Sequence, residues 1–229
     1  MEVRLYCSFT GSSSYNSTGF SALDQGSLVL VGRIGLKTSV PKVFFMASIF
    51  IPTQQRTIGN PTEMRDFLKP FGIWFEQWQV AGRLKDSPTD QDILDEYANE
   101  IDQVKKTGGY VTADVINVHA DTPNLDAMLQ KFNREHVHHE DEVRFTVSGT
   151  GIFHIHPDNG PVFGVTVESG DMINVPCGMK HWFNLCDDRH IRCIRFFEAV
   201  AGWTPHYVEQ SVHSEYSPMC FGPSFDVVS

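Results

Sequence analysis

The sequence predicts a mainly β fold with peripheral helices, an α+β chain whose strands form a sandwich or barrel. Two observations carry this. From His136 to Phe197 the chain runs as short β-rich segments broken by Gly, Pro, Asn and Asp, the pattern of many short strands. Helical periodicity is confined to residues 60–132, where it alternates with strand-like runs, so a small helical-plus-strand part precedes the β region.

Each element has a local reason. Residues 47–52 are apolar and β-branched and predict a strand. Residues 60–68 predict a short helix capped by Asn60 or Thr62. The apolar and aromatic run 73–80 predicts another strand, and its Trp and Phe residues are expected in the core rather than in a binding stack. Over 90–106, Ile93, Leu94, Tyr97, Ile101 and Val104 share one helical face, and Gly108-Gly109 stops the helix. A β-rich run follows at 110–118, then a helix spaced by Leu125, Met128, Leu129 and Phe132. Ser148-Gly-Thr-Gly151 is a hairpin signal. No internal repeat is present.

Composition bounds the function. A net charge of −10 disfavours nucleic acid and anionic membranes as partners, and no apolar run approaches the roughly 18 residues of a spanning helix. The five cysteines (Cys7, Cys177, Cys186, Cys193, Cys220) are odd in number and contain no Cys-x-x-Cys pair, which favours reduced thiols and a cytoplasmic protein. Residues 1–45 differ from the rest: eight serines, two acids and four bases give +2, against −12 for residues 46–229. Met46, at this composition break, opens Met-Ala-Ser-Ile-Phe-Ile-Pro, which resembles the start of members of the family identified below. The expectation is a poorly ordered extension over 1–45, read from an upstream start codon in preference to an organelle leader, and one domain over 46–229.

Chemistry concentrates in one stretch. Residues 136–144 read His-Val-His-His-Glu-Asp-Glu-Val-Arg. His136 and His138 share a strand face because side chains alternate with period two. A turn at His139-Glu140-Asp141 lets a neighbouring strand present Glu142 to the same point. In Val175-Pro-Cys-Gly-Met-Lys-His181, Pro176 and Gly178 turn the chain just before a further histidine. Three imidazoles and one carboxylate suit iron, nickel, manganese or zinc and leave two positions of an octahedral ion open. Arg144 shares the parity of Glu142 and points into the same cavity, where a buried guanidinium needs an anionic partner; substrate is preferred to a structural one. His154 and His156 imitate the metal pair, but Phe153 and Ile155 form the apolar face, so both histidines are placed outside the barrel. His139 has the wrong parity and belongs to the turn, while His119, His190, His206 and His213 lack companion ligands.

These spacings resemble the two motifs of the cupin superfamily, departing from them at Gln130 and Asn184, neither of which is a ligand. More narrowly, Glu135-His-x-His-x-Glu-Asp-Glu-Val-Arg-Phe145, Val175-Pro-x-Gly-x2-His-Trp-Phe183, Ile194-Arg-x-Phe197 and Gly202-Trp203 together resemble the acireductone dioxygenase family. Phe71-Gly-Ile-Trp-Phe-Glu-x-Trp78 and Gly109-Tyr-x-Thr-x-Asp-Val-Ile116 extend the likeness upstream. The resemblance implies a cupin, or jelly-roll, β-barrel and one Fe(2+) or Ni(2+) per monomer on His136, His138, Glu142 and His181. It implies O2-dependent cleavage of an acireductone in methionine salvage, to formate and a 2-keto acid with iron, or to formate, CO and a shorter acid with nickel. It further implies a substrate pocket at Phe132, Thr146, Phe153 and Phe183, and roles for Glu135 and Asp141 in metal uptake and conformational relay. The expected partners are the small-molecule substrate and O2, with the protein a monomer. A cupin isomerase or a non-catalytic cupin is disfavoured: Arg144 is the sole base in 135–151, and all four ligands are present.

Overall fold

The computed structural model describes residues 47–199 and 202–216. The extension expected over residues 1–45 lies outside them. The strands are β1 (Ser48–Ile51), β2 (Arg56–Ile58), β3 (Phe75–Gln77), β4 (Thr112–Val118), β5 (His136–Val137), β6 (Glu142–Gly149), β7 (Gly151–His156), β8 (Phe163–Val167), β9 (Asp171–Val175), β10 (Lys180–Leu185), β11 (Ile191–Phe197) and β12 (His206–Tyr207). The helices are α1 (Pro61–Leu68), α2 (Asp90–Glu96), α3 (Ala98–Gly108) and α4 (Leu125–Leu129). Two antiparallel sheets result, ordered β12-β5-β10-β7-β8-β1-β2 and β3-β9-β6-β11-β4. The early strands β1 to β4 are built into these sheets, so the helical-plus-strand part is continuous with the β fold rather than a layer of its own.

Strand parity sorts the side chains into two cores. On β6, Val143, Phe145 and Val147 join Ile194 and Phe196 of β11 beneath Ile93, Tyr97 and Ile101 of the α2–α3 region. The opposite face looks into the barrel, where Phe153, Ile155, Phe163, Val165, Ile173, Val175 and Phe183 pack together. Each such side chain, fully buried, contributes about 1.5–3 kcal/mol. α2 and α3 cover the outside of one sheet, whereas Met64 and Leu68 of α1 and Leu125 of α4 join the other cluster.

Local chemistry sets the helix ends. Asn60 Oδ1 accepts from the amides of Thr62 (2.9 Å) and Glu63 (3.2 Å), and Pro61 occupies the first turn. Thr89 and Asp92 form a reciprocal capping box at the start of α2. The single helix expected over 90–106 is two helices, broken at Tyr97, whose φ of −100° and ψ of 16° leave the helical range. The apolar face continues across the break, because Ile93, Tyr97 and Ile101 remain buried together. The periodicity therefore did not register it.

The predicted hairpin at 148–151 is not one. β6 pairs with β9 and β11, whereas β7 pairs with β8 and β10, so the turn carries the chain from one sheet to the other. A Gly-rich turn between two strands specifies a reversal but not whether the strands then pair. Similarly, the strand expected over 73–80 is hydrogen-bonded as β3 only at Phe75–Gln77. Cys177 and Cys193 are free thiols, but Cys186 is disulfide-bonded, which corrects the all-thiol reading. Residue count and spacing do not detect a pairing made by the fold.

Candidate metal centre

Three strand segments and one turn converge on a single point. His136 in β5 and His181 in β10 are direct cross-strand partners, so their side chains leave the same face. His138 follows two residues on, with the same parity. The bend at 139–141 then crosses to the other sheet, where Glu142 opens β6 opposite Val175 of β9. The turn before His181 is docked by its own backbone: Gly178, at φ 76°, donates its amide to the His138 carbonyl at 2.9 Å. A positive φ is what glycine permits there.

His136, His138, Glu142 and His181 are all buried, and one donor atom from each lies within 4.8 Å of the others. The tautomers are set from behind. Nδ1–H of His136 donates to the Arg134 carbonyl (2.6 Å), that of His138 to Thr204 (2.9 Å) and that of His181 to Met179 (2.8 Å). Each Nε2 lone pair is thereby turned inward, as a metal-binding imidazole requires. His136 Nε2 has no hydrogen-bond partner among the described residues. Glu142 Oε2 lies 2.9 Å from His138 Nε2 and 3.2 Å from His181 Nε2. Inward lone pairs facing a buried carboxylate fit a divalent cation of the borderline class.

Electrostatics agree. Burial, reinforced by the His181 charge, pushes the His136 pKa down to about 3, so this imidazole is neutral and available as a ligand. Burial also opposes charge on His138, but the hydrogen bond and charge of Glu142 outweigh it and raise its pKa. Burial likewise opposes ionisation of Glu142, yet Arg144, His138 and His181 hold its pKa well below the ordinary value. A cation held among these groups would take the place of the proton.

Arg144 is buried on the same face of β6, and its Nε donates to Glu142 Oε1 at 2.6 Å. The sequence offered no protein partner for it; the fold supplies Glu142. Its guanidinium carbon lies 5.1 Å from the Trp203 ring, 5.3 Å from Phe183 and 5.8 Å from Phe153. Thr146, Phe153 and Phe183 are buried in the interior beside it. Phe132 instead lines a cavity of about 320 Å³ with Thr112, Asp114, Arg195, Phe197 and Trp203. Arg195 and Asp114 were not singled out from sequence. They form a two-pronged ion pair across β11 and β4, at 2.8 and 2.6 Å. The available signal was the alternation Cys193-x-Arg195-x-Phe197, which puts Arg195 on the face of Cys193, a member of the interior cluster.

The carboxylates of Glu135 and Asp141 make no hydrogen bond or ion pair to a ligand side chain. Glu135 Oε1 accepts from His156 Nδ1 at 2.5 Å, and Oε2 from the Val212 amide at 2.6 Å, tying the C-terminal stretch to β7. Asp141 Oδ1 accepts from the Cys177 amide at 2.8 Å, and its carbonyl accepts from Trp203 Nε1 at 3.1 Å. His156 is thus spoken for, and His154 lies outside the barrel wall, stacked on Trp182 with centroids 4.7 Å apart. His154 is nevertheless buried.

The family model described as ARD/ARD' family matches residues 51–205. An acireductone dioxygenase of Picosynechococcus sp. is 42% identical over 171 residues, covering 75% of this chain and 97% of that protein. One from Bacillus pumilus is 39% identical, covering 73% of this chain and 100% of that protein. Among solved structures, an acireductone dioxygenase from Bacillus anthracis with cadmium ion in its active centre superposes with a TM-score of 0.65 at 39% identity, covering 71% of this chain and 98% of that one.

Proposed function

Because this chain belongs to the acireductone dioxygenase (ARD/ARD') family, we propose that it cleaves an acireductone with O2 at the His136–His138–Glu142–His181 centre. The observation that carries the reading is the buried three-histidine, one-carboxylate set with every imidazole tautomer held by a backbone carbonyl. The substrate is 1,2-dihydroxy-3-keto-5-methylthiopentene, a methionine-salvage compound. Iron loading gives formate and 4-methylthio-2-oxobutanoate; nickel loading gives formate, CO and 3-methylthiopropanoate. Either balance consumes one O2.

His136, His138, Glu142 and His181 would hold one Fe(2+) or Ni(2+) per chain of a monomer, which would supply the Lewis acidity that lowers the enediol pKa values. The protein does the rest. Arg144, fixed by Glu142, presents donors to the substrate dianion in a water-poor interior, where such charge stabilisation is strongest. Phe153, Phe183 and Trp203 surround its guanidinium and keep bulk water from the reacting carbons. Phe132 and the cavity walled by Phe197 and Trp203 take the methylthio tail.

The test is oxygen uptake with synthetic acireductone, coupled to product identification and metal analysis of the purified full chain. Formate with the 2-keto acid or with CO supports the reading. No uptake by protein loaded with either metal would overturn it.

A further inference from the structure

A further cavity lies away from the metal centre. About 440 Å³ lies on the outer side of the β3-β9-β6-β11-β4 sheet, between β3 and α3. Its walls include Trp74, Glu76 and Trp78 from the strand, Glu100 and Val104 from the helix, and Tyr110. That volume falls in the range of small-molecule sites, roughly 300–1,000 Å³.

Strand geometry explains the arrangement. Trp78 donates its amide to the Gly170 carbonyl at 2.8 Å, and the Trp74 amide donates to the Asn174 side chain at 2.6 Å, so both residues flanking β3 are tied to the chain around β9. Residues 74, 76 and 78 share the outer face, where Trp74 and Trp78 also pack against the Tyr97–Phe145 core, while Ile73 and Phe75 point into the other core. Successive residues on a face stand about 7 Å apart, so the Glu76 carboxylate sits between two indoles. It has no hydrogen-bond or ion-pair partner among the described residues. Glu100 is bound to Arg83, and no Lys or Arg lines this cavity, while Arg65 and Lys69 line a neighbouring pocket that Trp74 and Glu76 also border. The walls thus combine an open carboxylate with aromatic rings, which attract a cation within about 6 Å of a ring centre.

We propose that the Trp74–Glu76–Trp78 cavity is a second binding site, for a small organic ammonium ion, separate from the metal centre. Its ligand is an alkylamine or quaternary amine: the ammonium pairs with Glu76, and the alkyl groups lie against Trp74, Trp78 and Val104. An anion would meet Glu76 and Glu100, and a neutral alkyl compound would leave Glu76 unpaired. The site rests on geometry distinct from the catalytic reading and stands or falls without it.

The experiment titrates the metal-loaded full chain with butylammonium and tetramethylammonium chlorides at constant ionic strength. Tryptophan fluorescence and NMR shift changes are followed, with butanol and butyrate as controls. Saturable binding in roughly the millimolar range is expected for a site built from a few weak contacts. Glu76→Gln should weaken it about fivefold, the scale of a partly exposed ion pair. Trp74→Leu should weaken it further while leaving oxygen uptake unchanged. Glu76 is exposed, so its variant should fold normally. No saturation by either cation, equal binding of butanol, or unchanged affinity in both variants would each overturn the proposal.

Discussion

Arg144 holds one oxygen of Glu142 at 2.6 Å while the other oxygen of the same carboxylate faces His138 and His181. Two residues of one strand, sharing a face, thus divide a carboxylate between an arginine and the ligand cluster. The arginine thus fixes one end of a carboxylate whose other end faces the histidines.

Arg144→Met separates that role from stabilising the substrate dianion. The four ligands stay, so metal should still bind, with affinity lowered by about 10-fold for loss of a group that orients a ligand. At saturating metal, turnover should fall by about 10²–10³, the usual loss when a preorganised charge is removed. The anaerobic spectral shift of bound acireductone to its dianion should weaken in parallel. Wild-type dianion formation and oxygen consumption would show that Arg144 serves Glu142 alone.

Replacing His136, His138, Glu142 or His181 by Ala should remove most bound metal or most activity, read by metal analysis and oxygen uptake. His154→Ala and His156→Ala should keep metal near the wild-type level, since neither imidazole belongs to the cluster. Full metal and full turnover in two of the four ligand variants would disprove the assignment.

Gly149→Ala tests the crossover between sheets. The backbone there has a φ of 82°, and a Cβ would sit 2.0 Å from the His190 carbonyl oxygen, the acceptor of the Thr150 amide at 3.0 Å. Backbone blocks it, so relief requires moving β11. A loss of at least about 2 kcal/mol is expected in urea unfolding. Gly178→Ala, at φ 76° with open space around the Cβ, should cost only about 1 kcal/mol. Equal effects would mean that the close approach to His190 is easily relaxed.

The metal cluster was legible because its information is local: period two for His136 and His138, one turn to Glu142, and a Pro-Gly turn into His181. The shared face of Glu142 and Arg144 in β6, and the apolar face of Phe153 and Ile155 in β7, were legible for the same reason. What escaped was decided between distant segments. Ser148-Gly-Thr-Gly151 reads alike in a hairpin and in a crossover; the partners of β6 and β7 distinguish them. The break at Tyr97 leaves the apolar face intact. Asp114 and Arg195 are 81 residues apart and meet only because β4 and β11 are neighbours.

We propose that a protein beginning at Met46 folds, binds metal and turns over as the full chain does. The family match starts at residue 51, and the charge balance changes sign at residue 46. Unfolding midpoint, metal content and oxygen uptake of the shortened protein should agree with those of the full chain. A lower midpoint or lost activity would show that residues 1–45 contribute to the domain.

The last prediction concerns Asp171, at the start of β9 and fully buried. Its carboxylate accepts from the Glu168 amide at 2.8 Å and from Gln77 Nε2 at 3.0 Å, but burial outweighs both and raises its pKa to about 6. Burial, with the charge of Asp171, also raises Glu168 to about 7. An unfolded aspartate releases its proton near pH 3.9, so between about pH 4 and 6 the folded chain holds the extra proton. Stability from this carboxyl is therefore full below about pH 4 and is lost as the pH rises through 6. Two pKa units correspond to roughly 1–3 kcal/mol once relaxation is allowed for. Asp171→Asn removes this titration and relieves Glu168 of a neighbouring charge. The stability difference between variant and wild type, measured in urea at pH 4.5 and 7.5, should shift toward the variant at the higher pH, because titrations common to both proteins cancel. A difference independent of pH would place the Asp171 pKa at its unfolded value and show that its two hydrogen bonds offset its burial.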